Sequence, residues 1–310
     1  MAYTSGTTGF NLDLNTLIEE AFERCGQELR TGYDLRTARR SINLLTIEWA
    51  NRGINLWTIE QGQIPLVTGQ IGYALPVDTI DLLDTVIRQN NGTTNQIDIN
   101  ISRISESTYS TIPNKLTQGR PIQVWINRQS GNVNKTTSYL SSDITSTDTT
   151  INVSDASQLP ASGFINIDSE TIFYANVSGN QLQNCARGQN NTTAVAHSAT
   201  PTNYIYINWL PSISVWPTPN APGNQYTFIY WRMRRLQDAG TGVNIQDIPF
   251  RFIPAMVAGL AYYLSVKLNC DLQRVTGLKA DYEQQFQLAA DEDREKAPVR
   301  WVPRNMNYYR

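Results

Sequence analysis

Leu14, Leu17, Ile18, Ala21, Phe22 and Cys25 recur three and four residues apart, the spacing that lines one face of an α-helix. Asp13 or Asn11 can cap its start, and Glu19 and Glu20 fall in early turns where the helix dipole favours anions. A turn at Thr31-Gly32 leads to a second such run, Leu35, Ala38, Ile42, Leu45 and Trp49, with Gly53 as its C-terminal stop. The opposite face of this second helix carries Arg36, Arg39, Arg40 and Glu48. Two antiparallel helices packed on their apolar stripes are predicted.

From Leu56 the period becomes two. Trp57–Ile64, Gly72–Leu75, Leu82–Arg88 and Ile97–Ile101 read as short strands, punctuated by Pro65, Gly69 and Pro76. Ser105–Thr117 resembles a short helix and loop, and Pro121–Asn127 a further strand. Between about Ser130 and Tyr206 the composition turns to Ser, Thr, Asn and Asp with almost no Lys or Arg. Strand-turn-strand patterning runs through it, at Thr149–Val153, Gly163–Ile167, Glu170–Tyr174 and the turn at Ser178–Asn180. With this stretch removed, Ile122–Arg128 lies close in sequence to Ile213–Trp216, and the two are expected to pair as antiparallel strands, the tip of their hairpin being the place where insertion is tolerated. Tyr226–Arg235 is expected to close the sheet. A long helix then starts at Ile248-Pro249, with Met256, Val257, Leu260, Ala261, Leu264 and Leu268 on its buried side, and a polar helix spans Asp271 to Lys296.

The predicted class is α+β: a helical core of the N-terminal helix pair and the long C-terminal helices, a small antiparallel sheet, an inserted all-β, barrel-like module and an extended C-terminal tail. Residues 1–130 with 207–296 would form the core, 131–206 the module and 297–310 the tail. At 310 residues, 40% of them apolar, the chain can bury such cores. The formal net charge of −2 carries no signature of duplex binding, although a near-neutral protein can still surround DNA. No apolar run reaches membrane-spanning length, and Met1 to Gly9 lacks the regions of a signal peptide. Cys25, Cys185 and Cys270 are odd in number and lie far apart, which argues for buried structural thiols in a reducing cytoplasm rather than disulfides or a zinc site.

Six strings in one order carry a family likeness. They are Ala38-Arg-Arg-Ser-Ile-Asn-Leu-Leu-Thr-Ile-Glu-Trp-Ala-Asn-Arg-Gly53, Trp57-Thr-Ile-Glu60, Gly72-Tyr-Ala-Leu-Pro76, Val215-Trp-Pro-Thr-Pro219, Tyr230-Trp-Arg-Met-Arg-Arg235 and Pro249-Phe-Arg-Phe-Ile-Pro-Ala-Met-Val-Ala-Gly-Leu-Ala-Tyr262. Through them residues 10–130 and 207–305 resemble the head-to-tail adaptors of podoviruses, the tail tubular protein A-like or head-completion proteins. The resemblance implies a structural virion protein at the head-tail junction, assembled in the bacterial host cytoplasm. It implies a closed ring, typically of twelve copies, that contacts the portal and the tail nozzle, with tail fibres as a further candidate partner. Genomic DNA would pass through it without sequence recognition. The inserted module looks like a separate kind of phage structural module. Simpler adaptors lack it, so the likeness is silent on its partner.

From Arg294 to Arg310 five basic side chains face one acid, a local net of about +4 interleaved with aromatics. Arg300, Trp301, Arg304, Tyr308, Tyr309 and Arg310 have the composition of interface anchors. In the resembled family comparable ends reach the portal, so portal binding is expected of these six. Arg36, Arg39, Arg40 and Arg52 could face the DNA channel or a neighbouring subunit, and a solvated helix face fits them equally well.

Catalytic chemistry finds little support. Asp168 and Glu170 flank Ser169 on an expected strand and would share a face, the raw material of a peptidoglycan hydrolase. His197, the only histidine, lies in a polar stretch and is expected in a turn. No GxSxG elbow, P-loop, GxGxxG or HExxH string occurs, so no catalytic, cofactor or metal residue is expected. A virion hydrolase and a host-binding module built on the insert remain the competing readings.

Overall fold

A computed structural model describes residues 12–293 except 31, 54, 55, 224 and 242, together with Gly6 and Phe10. The chain is mixed α and β and divides into two units: Met1–Trp57 with Leu236–Arg310, and Thr58–Arg235.

The first unit is helical. Helices α1 (Leu14–Cys25) and α2 (Gly32–Asn51) lie where the apolar spacing places them, and α3 (Ile253–Lys267) and α4 (Leu272–Glu292) follow the β unit in sequence. The two N-terminal helices do not pack chiefly on each other as expected: both apolar stripes turn to α3, whose nearly all-apolar surface offers the larger partner. The Asp13 carboxylate accepts the Thr16 N–H at 2.7 Å and so caps α1, while Asn11 lies outside the described residues. Gly26, at φ +70°, ends α1 in the left-handed conformation that a Cβ disfavours. The α3 helix is apolar nearly all round and is buried accordingly, at Ile253, at every residue from Ala255 to Ala261 and again at Leu264. Its Gly259 allows a close approach on two sides: a Cβ there would lie 2.9 Å from both the Leu45 side chain and the Tyr282 ring.

The second unit is predominantly β. Its principal strands are β1 (Ile59–Pro65), β2 (Gly72–Ala74), β3 (Thr79–Gln89), β4 (Ile97–Asn100), β5 (Ser102–Ile104) and β6 (Gln123–Asn127). They continue with β7 (Val133–Tyr139), β8 (Gly163–Ile167), β9 (Glu170–Tyr174), β10 (Ala186–Gln189), β11 (Tyr204–Asn208), β12 (Ser212–Trp216) and β13 (Tyr226–Arg234). A single helical turn, Glu106–Ser110, follows β5 and is capped by Ser105.

Where the sequence suggests one small antiparallel sheet closed by the Tyr226–Arg235 strand, the chain builds two facing sheets. The first runs β1-β13-β3-β4 and the second β2-β12-β6-β5. The physical reason lies in the alternation of β13: Tyr226, Phe228 and Tyr230 all point to one side and need a second wall. That wall is Tyr73, Val124, Ile213 and Val215. Strands β6 and β12 pair antiparallel as expected, from Ser212 opposite Asn127 to Trp216 opposite Gln123. Not all pairing is antiparallel, since β5 runs parallel to β6.

The segment between β6 and β12 forms a five-stranded sheet, β10-β9-β8-β11-β7, with a three-stranded ladder of residues 176–178, 181–183 and 151–152. They cover a core that includes Ile151, Ile165, Ile172, Tyr174 and Leu182. Among the described residues there is no closed barrel, which corrects the barrel-like expectation: the strands end in two separate ladders. A small cluster of Phe164 and Phe173 with Ile71 and Leu210 joins this sheet to the β2–β12 side of the unit. It is possible because Gly72 leaves room, a Cβ there falling 2.3 Å from the Phe173 ring.

Candidate assembly interface

On α2, Ala38, Ile42, Leu45 and Trp49 are fully buried against the helical core. The C-terminal half of the helix is fastened by polar contacts. Trp49 Nε1 donates to Tyr282 Oη at 3.0 Å, and Tyr282 and Tyr263 donate to the two oxygens of Glu48 at 3.1 and 2.7 Å. Arg52 lies in a bidentate pair with Glu283, both contacts at 2.9 Å, and 2.5 Å from Glu48. Its guanidinium also sits 4.4 Å from the centre of the Phe286 ring. The hydrogen bond from Arg52 holds the Glu283 carboxyl below the usual carboxylate range. Arg52 therefore serves α2–α4 packing within the chain, a role not read from the sequence.

Arg36 and Arg40 are exposed, and Arg39 is half-buried with its Nε lacking a partner among the described residues. Arg40 has one polar contact in its own helix, to Thr37 Oγ1 at 3.3 Å. Lys267, from α3, donates to Ser41 Oγ at 2.7 Å. Its ammonium is held below the usual lysine range by burial and then by the charge of Arg40. Arg36 and Arg40 do not stand on a plain solvated face. Tyr33, Leu44 and Ile47 share the outward side of α2 with them, 63%, 53% and 57% exposed. At 100° per residue Tyr33, Arg40, Leu44 and Ile47 form one stripe directly opposite the buried one.

A second surface feature lies on the same unit. Thr16, Glu19, Glu20, Glu23 and Arg24 on the outer side of α1 border a groove of about 410 Å³ with an apolar floor of Leu12, Ile253, Pro254 and Val257. Arg24 is committed to Glu20 at 3.0 Å and Asp281 at 3.5 Å, leaving Glu19 and Glu23 without an ion-pair partner among the described residues.

The β unit holds a buried charged cluster that overturns two expectations. Asp168 is not on a strand: with φ +52° it begins the two-residue turn between β8 and β9, which Ile167 and Glu170 close as paired residues. His197 is not an open turn residue either, for its side chain is 1% exposed. His197 Nδ1 lies 2.8 Å from Asp168 Oδ2 and its Nε2 lies 2.8 Å from Glu170 Oε2. The wholly buried Glu170 also receives Arg187 Nε at 2.8 Å and Nη2 at 2.7 Å, with the N–H groups of Gly188 at 2.9 Å and Val195 at 3.2 Å. Arg187 donates further to the carbonyls of Thr145 and Val195. Burial alone would raise the Glu170 pKa, but these hydrogen bonds, Arg187 first, outweigh it and bring it to about 2. A carboxyl so held is an anion at neutral pH with both oxygens occupied, the opposite of the raised acid that glycoside hydrolysis needs. Asp168 has its second oxygen on Asn203 Nδ2 at 2.8 Å. The cluster pins the β8–β9 turn to the segment around His197.

Arg300, Trp301, Arg304, Tyr308, Tyr309 and Arg310 lie outside the described residues. Among the described residues no group of three or more His, Cys, Asp and Glu is placed to hold a metal ion, and no helix is long and apolar enough to cross a membrane.

Two outward faces of one small helical unit, one basic and apolar, the other acidic and grooved, are what a protein that works by contact would carry. Comparison with family models gives a match to the SU10 adaptor protein over residues 113–304, well over half of the chain. The chain belongs to the SU10 adaptor protein family. It is thus a bacteriophage structural adaptor, a component of the virion that contacts other virion parts. The matched span starts just after the single helical turn, includes the whole segment from β7 to β11, and reaches past α4. No curated protein matches the chain.

Proposed function

We propose that this adaptor forms a closed cyclic ring, of twelve copies, between the portal and the tail nozzle of a podovirus-like particle. The ring encloses the DNA channel and serves genome retention and ejection without turning over a substrate. Family membership carries this reading. The exposed stripe of α2 and the groove beside α1 support it, because a cyclic ring needs two different complementary faces on each subunit. The small net charge of −2 suits a wall past which DNA must slide. The basic, aromatic segment 297–310 docks on the portal, and the module of residues 131–206 is a separately tolerated addition to the adaptor core.

The test mixes the purified full chain with its portal and images the product. A ring seated on the portal is expected. A chain ending at Ala297 should fold and fail to dock. Unchanged docking by that truncation refutes the role of the tail, and a connector complete without this chain, or a saturable rate on peptidoglycan, refutes the reading as a whole.

A further inference from the structure

We infer that the ring interface joins the outer stripe of α2 in one copy to the groove beside α1 in the next, and this rests on the self-association proposed above. Four observations lead there. Leu44 and Ile47 are large apolar side chains standing more than half exposed, about one and two turns beyond Arg40 on the same helix face. The groove offers them an apolar floor at Ile253, Pro254 and Val257, beside the 71%-exposed Phe10. The acids at its rim, Glu19 and Glu23, have no ion-pair partner among the described residues, and Arg36 has none either. The spacing also matches. Glu19 and Glu23 are four residues apart and so are Arg36 and Arg40, so each pair is separated by about 6 Å along its helix axis.

Charge and apolar surface therefore complement each other between two different patches of the same unit. Two different patches that complement each other can repeat head to tail around a ring, as a heterologous interface requires, whereas the same two meeting twice across a two-fold axis would close a dimer. The charges set partner and register, and the apolar residues supply the buried area. The occupant of the groove is accordingly a second copy of this chain rather than an unrelated protein.

Charge reversal tests the pairing, because two complementary patches have a distinctive rescue pattern, and the size of the assembled species separates a ring from a two-fold dimer. One full-length variant carries Glu19→Lys and Glu23→Lys; another carries Arg36→Glu and Arg40→Glu. All four side chains are at least partly exposed, so circular dichroism and the melting temperature should match the unchanged chain and certify folding. Assembly is read by sedimentation velocity, with and without the portal. Each variant alone should assemble at least tenfold more weakly. An equimolar mixture should regain rings of alternating subunits, as should one chain carrying all four changes. If each variant assembles like the unchanged chain, the interface lies elsewhere and the inference falls while the ring reading stands. Loss without recovery in the mixture also overturns it. If the Glu19/Glu23 variant and a chain ending at Asp293 both lose assembly while the Arg36/Arg40 variant keeps it, the groove receives the C-terminal segment instead. Failure of the unchanged chain to assemble under either condition removes the ring reading itself.

Discussion

Glu170→Gln isolates the buried charge cluster with the smallest change in shape. The carboxylate accepts from Arg187 twice, from two backbone N–H groups, and meets His197. A carboxamide keeps the volume but removes the charge and turns one acceptor into a donor facing donors. Arg187, whose side chain is 6% exposed, then keeps a charge without a counterion. Breaking a buried pair in this way costs about 3–5 kcal/mol. The acid limb gives a second, independent figure. A fall of the Glu170 pKa from 4.5 to about 2 corresponds to roughly 3 kcal/mol of folding stability. Because the folded value is the lower one, this stability is fully present above pH 4.5 and is lost as pH falls towards 2. The assay is urea denaturation of the full chain with hydrogen exchange read at β9, Thr171–Tyr174, compared between the two proteins from pH 6 to pH 2. The gap should be about 3 kcal/mol or more at pH 6 and should shrink by about that figure towards pH 2, since the glutamine variant has no such group to titrate. A gap below 1 kcal/mol, or one constant across the range, refutes the account of the cluster.

Gly72→Ala places a methyl against the Phe173 ring, which is buried and tilted against Phe164 at 5.2 Å and has little room to move. It should cost about 1–3 kcal/mol, read as earlier urea unfolding of the β unit. Trp49→Phe removes the donor to Tyr282 while leaving Tyr282 bonded to Glu48, for about 1–2 kcal/mol, whereas Trp49→Ala should cost about 3–5 kcal/mol in the helical unit. Equal losses for the two would show that packing around the ring is not what matters. Burial first, then the neighbouring Cys270, pushes the Cys25 thiol up to about 11, and burial pushes Cys185 to about 12. Both thiols therefore stay protonated through pH 9, and mass spectrometry after maleimide treatment should find them unlabelled until the chain unfolds.

The helices were legible because their signal is local. The run from Leu14 to Cys25 and the run from Ala38 to Trp49 each show a complete face within one element, and the caps Asp13 and Gly26 sit at its ends. The β unit was legible in its strands and only partly in its sheets. The pairing of Ile213–Trp216 with Ile122–Asn127 was readable because the stretch between them differs in composition from both. That β13 belongs beside β1 and β3 instead depends on contacts about 140–175 residues apart, which no local period encodes. The charged cluster was missed for the same reason. Asp168 and Glu170 meet His197 only because a tight turn re-aims Asp168 and a distant loop folds back. One clue was available: Arg187 and Lys135 are the only basic side chains between Ser130 and Tyr206 that do not depend on pH near neutrality, and an arginine so isolated among Ser, Thr and Asn calls for an acid. The outward stripe on α2 was half legible, since Arg36 and Arg40 were singled out but Leu44 and Ile47, the residues that make the face cohesive, were not.

The helical unit is assembled from two stretches of chain, and this has a cost in time. Ile42, Leu45 and Trp49 are sheltered by α3, whose first residue follows the end of α2 by about two hundred positions. At roughly 5–20 residues per second, a ribosome needs on the order of 10–40 seconds to supply that cover. Throughout this interval the nascent N-terminal helices present both their future inner stripes and the outer one, so the newborn chain is at its stickiest well before it can close its own core.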